Sequence, residues 1–215
     1  MTAGEDDRAR LSAEQVERFE ECIAGGGVAL FPADTVYGLA CDPLQPRAVE
    51  RLYELKGRPP ARPAAVMFFA LAPALDALPE LRVRERRALE ALLPGPLTVL
   101  LPNSARRFPL AAAGSPGVLG LRVPLLPAAL QPLAELQRPV MQSSANISGE
   151  HDAQRLADVT PALLEEVDLV LDGGELPGIA STVLDLLDYE HKGQWRVVRE
   201  GPVREAELKH VLTSC

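Results

Sequence analysis

The sequence predicts an α/β fold, a single domain with a twisted mixed parallel/antiparallel sheet flanked by helices. Three observations lead there. Short apolar runs bounded by turn residues alternate with helix-periodic segments. No long linker, internal repeat or shift in composition divides the 215 residues. At 47% hydrophobic and 24% charged residues, the chain has ample core material for one domain. Aromatics are only 4%, so that core must be mostly Leu, Val and Ala. Residues 1–10 read as a disordered tail and 11–215 as the domain.

The first helix is expected in "LSAEQVERFEECIAGGG", where Ser12 and Gln15 have the spacing of a capping box and the glycines stop the helix. "VALFP" follows as a buried strand ended by Pro32. "QPRAVERLYELKG" is helical, with Ala48, Leu52 and Leu55 on one face and Gly57 at C′. "AAVMFFA" reads as a strand, and "RERRALEALLPG" as a helix stopped by Pro94 and Gly95. "PLTVLLP" and "GVLGLRVP" are two further strands. "PAALQPLAELQ" is helical despite Pro132, and "RPVMQSS" is a strand running into a polar turn. "RLADVTPALLEEV" reads as one helix, and "DLVLDGG", "STVLDLLD" and "QWRVVRE" as strands. A short helix closes the chain from about Arg204.

Composition excludes several classes of function. A formal charge of −8 argues against broad nucleic-acid binding, although it leaves room for a local basic cleft. Cys22, Cys41 and Cys215 are scattered, without a CxxC pair, and His151, His191 and His210 are equally far apart. Neither a disulfide framework nor a zinc site follows from these spacings. The acidic start "MTAGEDDRAR" is no signal peptide, and no run of eighteen apolar residues offers a membrane span. A cytoplasmic location, with no membrane partner, is the expectation.

Of 22 basic residues only three are lysines, and Lys56 is the one lysine among the first 191 residues. A rotatable ammonium can serve chemistry that a planar guanidinium serves less well. If the helix ends at Gly57, the prolines of "RPPARP" extend the chain, and Arg58 and Arg62 share a face beside Lys56. Spacing alone equally allows a cation at a helix end, favoured by the macrodipole. "FPADTVYGLACDP" sets Asp34, Thr35 and Tyr37 at a strand end, where open α/β sheets hold ligands, or simply makes a turn. "MQSSANISG" offers Ser143, Ser144, Asn146 and Ser148 in the same kind of position, with the same alternative. Ser181 and Thr182 enter a strand, Arg122 lies near a strand end, and Arg199 follows "VV". Neither GxGxxG opening a helix nor GxxxxGK[ST] is present, so bound phosphates would be held by side chains.

Taken in order, from about residue 12 to 203, these stretches resemble the YrdC/TsaC family, the threonylcarbamoyl-AMP synthases. The family's PTDTVYGL loop, KGRP, PGPLT, V-G-[IVL]-R-[VM]-P strand, SAN-x-SG, DGG, STVVDL and final R-x-G are matched by "FPADTVYGLACDP", "LKGRPPARP", "PGPLTVLL", "LGLRVP", "SSANISG", "LDGG", "STVLDL" and "VVREGPV". The resemblance implies a nucleotidyltransferase that joins L-threonine, bicarbonate and ATP into threonylcarbamoyl-AMP and pyrophosphate. Downstream it implies tRNA threonylcarbamoyl transfer machinery of the TsaD/TsaB/TsaE type. Lys56 and Arg58 would hold the triphosphate and the bicarbonate-derived group. Thr35, Arg122 and Ser181 would hold threonine, with Arg122 pairing its carboxylate. Arg62, Ser144, Asn146 and Arg199 would contact the nucleotide. Mg²⁺ would arrive with ATP, with no metal site of the protein's own.

Four positions depart from the family pattern: Ala33 replaces a threonine, Arg62 a lysine, Met67 stands where some members carry histidine, and "EHDAQ" follows Gly149 in place of P-S-P-T. They keep two readings open, a paralogue with another substrate or none, and an RNA-binding protein using the cations around Lys56 and Arg122. The length matches the single-domain form of the family.

Overall fold

Ser12 starts the first helix as its spacing predicts. Its Oγ accepts from the Gln15 amide at 3.2 Å, while Gln15 Oε1 accepts from the Ser12 amide at 2.9 Å. Helix α1 (Ala13–Ala24) buries Val16, Phe19 and Ile23. The computed structural model describes residues 10–57, 63–146 and 151–213. Nearly all of the segment expected to be a tail, together with Arg58, Arg62 and Ser148, therefore lies outside the described residues.

Strand β1 (Ala29–Pro32) turns at Ala33–Val36 and runs straight back as β2 (Tyr37–Cys41). From the sequence only a polar turn is expected there. "YGLAC" is in fact buried along its whole length, a strand hidden by the polar residues just before it. Helix α2 (Pro46–Leu55) ends at Lys56, and Gly57 takes the left-handed φ of +55° expected of C′. Strand β3 (Ala65–Met67) is shorter than the apolar run around it. The chain then enters α3 (Leu71–Ala77), unpredicted because Pro73 obscures the periodicity. Helix α4 (Val83–Leu92) leads into β4 (Leu97–Pro102) and β5 (Val118–Arg122).

Residues Ala128–Glu135 form a 3₁₀ helix around Pro132, which has no N–H to give to an α-helical ladder. Strand β6 (Val140–Ser144) follows. The helix expected over 155–167 is broken: a 3₁₀ turn (Leu156–Asp158) and α5 (Pro161–Glu166) meet at Thr160, with Pro161 starting the second piece. Then come β7 (Leu169–Val170), β8 (Thr182–Asp185), α6 (Tyr189–Lys192), β9 (Arg196–Arg199) and α7 (Glu205–Thr213).

Among the described residues one sheet of nine strands runs in the order β7-β1-β2-β6-β3-β5-β4-β8-β9. Pairs β1/β7, β3/β5 and β4/β8 are parallel and the rest antiparallel, so the sheet is mixed, as predicted. β1 and β2 are buried on both faces, and the Phe19, Phe31 and Phe69 rings cluster with centroids 5.2–6.2 Å apart. Farther along, burial alternates. Val99, Leu101, Leu119, Leu121 and Leu184 enter the core, whereas their neighbours on the other face line a cavity. No helix among the described residues is long and apolar enough to cross a membrane.

Candidate active site on the open face of the sheet

One level of the sheet places Gln142, Ala65, Gly120, Leu100, Asp185 and Arg196 side by side on β6, β3, β5, β4, β8 and β9. Two residues along, Arg122, Thr98 and Val183 form the next level on the same face. Together they floor a cavity of about 440 Å³. Its middle is low because Ala65 and Gly120 carry almost no side chain. Polar groups rise around that floor in three clusters.

The first centres on Arg122, which is 4% exposed. Its Nη1 donates to Gln142 Oε1 at 2.8 Å, and its Nη2 to Asp34 Oδ1 at 2.6 Å and Thr35 Oγ1 at 3.3 Å. Among the described residues, Arg122 Nε is the one buried side-chain nitrogen or oxygen without a hydrogen-bond partner. Burial pushes the Asp34 carboxyl above its usual value, which the Arg122 charge and the Leu125 amide only partly offset. Burial also draws Arg122 downward, opposed by Asp34 and reinforced by the like charge of Arg199. A buried guanidinium with an unmade donor beside a cavity favours a bound anion.

The second cluster joins Ser181, Thr98 and Arg199. Ser181 Oγ lies 2.8 Å from Thr98 Oγ1. Arg199 donates to Ser181 O through Nε at 3.1 Å and Nη2 at 2.7 Å. A bulge makes this possible. Val183 faces Arg199 while the next residue, Leu184, faces Val197, so Val198 is an extra residue in β9. The bulge turns both Val198 and Arg199 to the cavity. Gly201 packs so closely here that a Cβ would stand 2.4 Å from the Thr182 amide nitrogen, a steric reason for glycine after Arg199.

The third is the lysine that the sequence singled out. Lys56 is 2% exposed. Its Nζ donates to the Ser144 carbonyl, to Asn146 O at 2.9 Å and to Asn146 Oδ1 at 3.1 Å, and Ser144 Oγ donates to the same Oδ1 at 2.6 Å. A tetrahedral ammonium can serve three oxygens converging on one point, which a planar fork cannot.

Arg122, Ser144, Ser181 and Arg199 thus line the cavity, while Thr35 stands behind Arg122, and Lys56 and Asn146 brace the adjoining loop. Arg58 and Arg62 lie outside the described residues. Tyr37, expected among the site hydroxyls, is a structural latch. Its hydroxyl donates toward Gly174 O (2.8 Å) and Asp172 Oδ1 (3.0 Å) and accepts from the Gly173 amide (3.0 Å). Gln142, Thr98 and Asp185 also line the cavity, and the sequence assigns none of them a role. Their signal is a polar residue in the cavity-facing phase of a strand. Ala33 is buried away from the cavity, and Asp152 reaches the wall from the segment that stands in place of P-S-P-T.

An open mixed sheet whose face carries the buried Arg122 and the exposed Arg199 around a cavity makes an α/β domain with a candidate site for an anionic small molecule. The profile of Sua5_yciO_yrdC, described as telomere recombination, matches residues 21–201, and the chain belongs to this family. A relative named threonylcarbamoyl-AMP synthase from Pyrococcus abyssi is 33% identical over 82% of this chain and 53% of its own length. The chain therefore spans about half the length of that relative. Another of the same name, from Xanthomonas campestris, is 37% identical over 74% of this chain and 84% of its own. Among solved structures, P. abyssi Sua5 complexed with L-threonine superposes with a TM-score of 0.78 at 29% identity, covering 94% of this chain and 58% of that one. Escherichia coli YciO gives 0.75 at 25% identity, covering 92% and 94%.

Proposed function

We propose that the protein is a threonylcarbamoyl-AMP synthase. Threonine's amine and bicarbonate give the carbamate and water, a carbamate oxygen bonds to the α-phosphorus of ATP, and pyrophosphate leaves. The observation that carries this reading is Arg122. A buried guanidinium with a free donor beside a cavity suits an amino-acid carboxylate, and a structure sharing this fold is that of a Sua5 complexed with L-threonine. Thr35 and Ser181 complete the threonine subsite in this reading. Ser144, Asn146 and Arg199 would contact the phosphates, the family motif assigns Arg58 and Arg62 the same role, and Lys56 braces Ser144 and Asn146.

No protein nucleophile is needed, because the carbamate itself attacks. Catalysis rests on bringing two anions together and stabilising charge on the phosphates. Among the described residues no three His, Cys, Asp or Glu side chains converge on a metal position. In this reading Mg²⁺ would come in on the triphosphate and neutralise charge there. The product would pass to a tRNA threonylcarbamoyl transferase.

The test is pyrophosphate release from ATP and magnesium, with and without threonine and bicarbonate. The reading requires release that depends on both. Release that depends on a different amino acid would assign another substrate, and ATP binding without turnover would assign an inactive paralogue.

A further inference from the structure

Gln142 stands just outside the stretch "SSANISG", yet it lines the cavity and touches Arg122. It is 4% exposed. Its neighbours on the same face are small, Ala65 on β3 and Ala40 on β2. Gly38, paired with Ser144, leaves room for the end of the side chain, since a Cβ there would stand 2.5 Å from Gln142 Nε2. The carboxamide therefore spans from Arg122 to the level of Gly38 and Ser144.

Chemistry fixes which way it faces. A guanidinium only donates, so the atom 2.8 Å from Arg122 Nη1 must be the amide oxygen, and the nitrogen is turned away from the arginine. Among the described residues none accepts from that nitrogen. Arg122 Nε is the one buried side-chain nitrogen or oxygen among them without a partner, so Gln142 Nε2 is not sealed in but reaches the open space of the cavity. An amide whose oxygen takes a charge-assisted bond is polarised, and its N–H becomes a better donor. Gln142 thus carries the positive pole of a buried guanidinium into the cavity.

We propose that Gln142 is a further substrate-binding residue, whose Nε2 donates to a carboxylate-type oxygen of the amino-acid substrate. Two groups have that chemistry, the α-carboxylate and the carbamate formed on the amine. The place suits either one. It lies between Arg122, which receives the α-carboxylate in the proposed reaction, and Ser144, which contacts the phosphates. An apolar or cationic group in that position would leave the N–H unpaired, at a cost to binding. This inference rests on the reading that an amino acid occupies the cavity.

The experiment follows the Gln142 side-chain NH₂ resonances of the ¹³C,¹⁵N-labelled full chain, assigned through their own side-chain carbons, as threonine and then bicarbonate are added. Beside it, threonine is titrated by calorimetry, with bicarbonate present, into the unaltered protein and Gln142→Glu. That variant keeps an oxygen for Arg122 and replaces the donor with a second acceptor. The expected result is a downfield shift of the NH₂ signals, with threonine alone for the α-carboxylate, or on adding bicarbonate for the carbamate. Threonine affinity should fall by about 10-fold or more in the variant, with no drop in its thermal midpoint. A residue that serves only to hold Arg122 would, as glutamate, keep affinity within about 2-fold, which would overturn the proposal. Signals unmoved at saturating threonine and bicarbonate would overturn it without any variant. Failure of the unaltered protein to bind threonine would overturn the reading of the cavity as an amino-acid site, and this assignment with it.

Discussion

Arg122 and Asp34, 88 positions apart, form an ion pair of 2.6 Å in which both side chains are at most 5% exposed. The pair fixes the guanidinium, whose Nε stays buried without a hydrogen-bond partner. Removing one partner of a buried pair strands the other charge. Asp34→Ala should therefore destabilise the fold by about 3–5 kcal/mol in denaturant unfolding. Arg122→Lys should fold better than Asp34→Ala yet lose threonine affinity by at least about 10-fold, because an ammonium cannot present the fork.

The same burial gives Asp34 a characteristic pH signature. Its folded pKa lies above the usual value of 3.8, so the folded state holds this proton more tightly than the unfolded state. Stability contributed by the group is then highest in acid and falls as pH rises from 3.8 through the raised value. Asp168 behaves in the opposite sense. Burial pushes its carboxyl up, but the Val28 amide and Arg51 outweigh that and hold it low. Its contribution is present above 3.8 and is lost as pH falls through the lowered value. Unfolding curves across pH should show the natural protein losing stability relative to Asp34→Asn as pH rises, and relative to Asp168→Asn as pH falls. A reversal of either trend contradicts the assignment.

Gly120 tests the cavity without disturbing the core. A Cβ there would meet Ala65 Cα at 3.5 Å and Leu100 Cδ2 at 3.7 Å, ordinary contacts, on a backbone that needs no positive φ. Gly120→Ala should leave stability within about 1 kcal/mol of the natural protein. Gly120→Leu should fold but fill the floor and abolish detectable ATP and threonine binding in calorimetry. Retained binding would place the ligands elsewhere.

Lys56→Arg keeps the charge and loses the three-way contact to Ser144 and Asn146. Carbonyls left unpaired in a buried site cost about 1–3 kcal/mol, so the thermal midpoint should drop despite the conservative change. Hydrogen exchange at Ala145 and Asn146 should quicken in the variant, and unchanged exchange would return Lys56 to the role of a simple helix-end cation.

Much of this architecture is legible in sequence because local chemistry and fold agree. Ser12 and Gln15 announce α1, and Gly57 ends α2 as its position suggests. The failures have local causes. Polar Asp34 and Thr35 disguise the start of β2, Pro73 hides α3, and Pro132 turns an expected helix into 3₁₀. Motifs point to the cavity-lining residues Arg122, Ser144, Ser181 and Arg199 but not to their connections. The pairing of Arg122 with Asp34, the bulge that turns Arg199 inward and the reach of Lys56 across 88 residues to Ser144 depend on strand order and register. No local pattern encodes those relationships.

The most direct measurement is mass-spectrometric analysis of the nucleotide products formed from ATP, magnesium, threonine and ¹³C-labelled bicarbonate. The expected product is an adenylate that retains both threonine and the ¹³C label, absent when either co-substrate is withheld and lost in Arg122→Lys. Turnover of ATP to AMP or ADP with no labelled adduct would contradict the assignment of this cavity as the place where threonine, bicarbonate and ATP are joined.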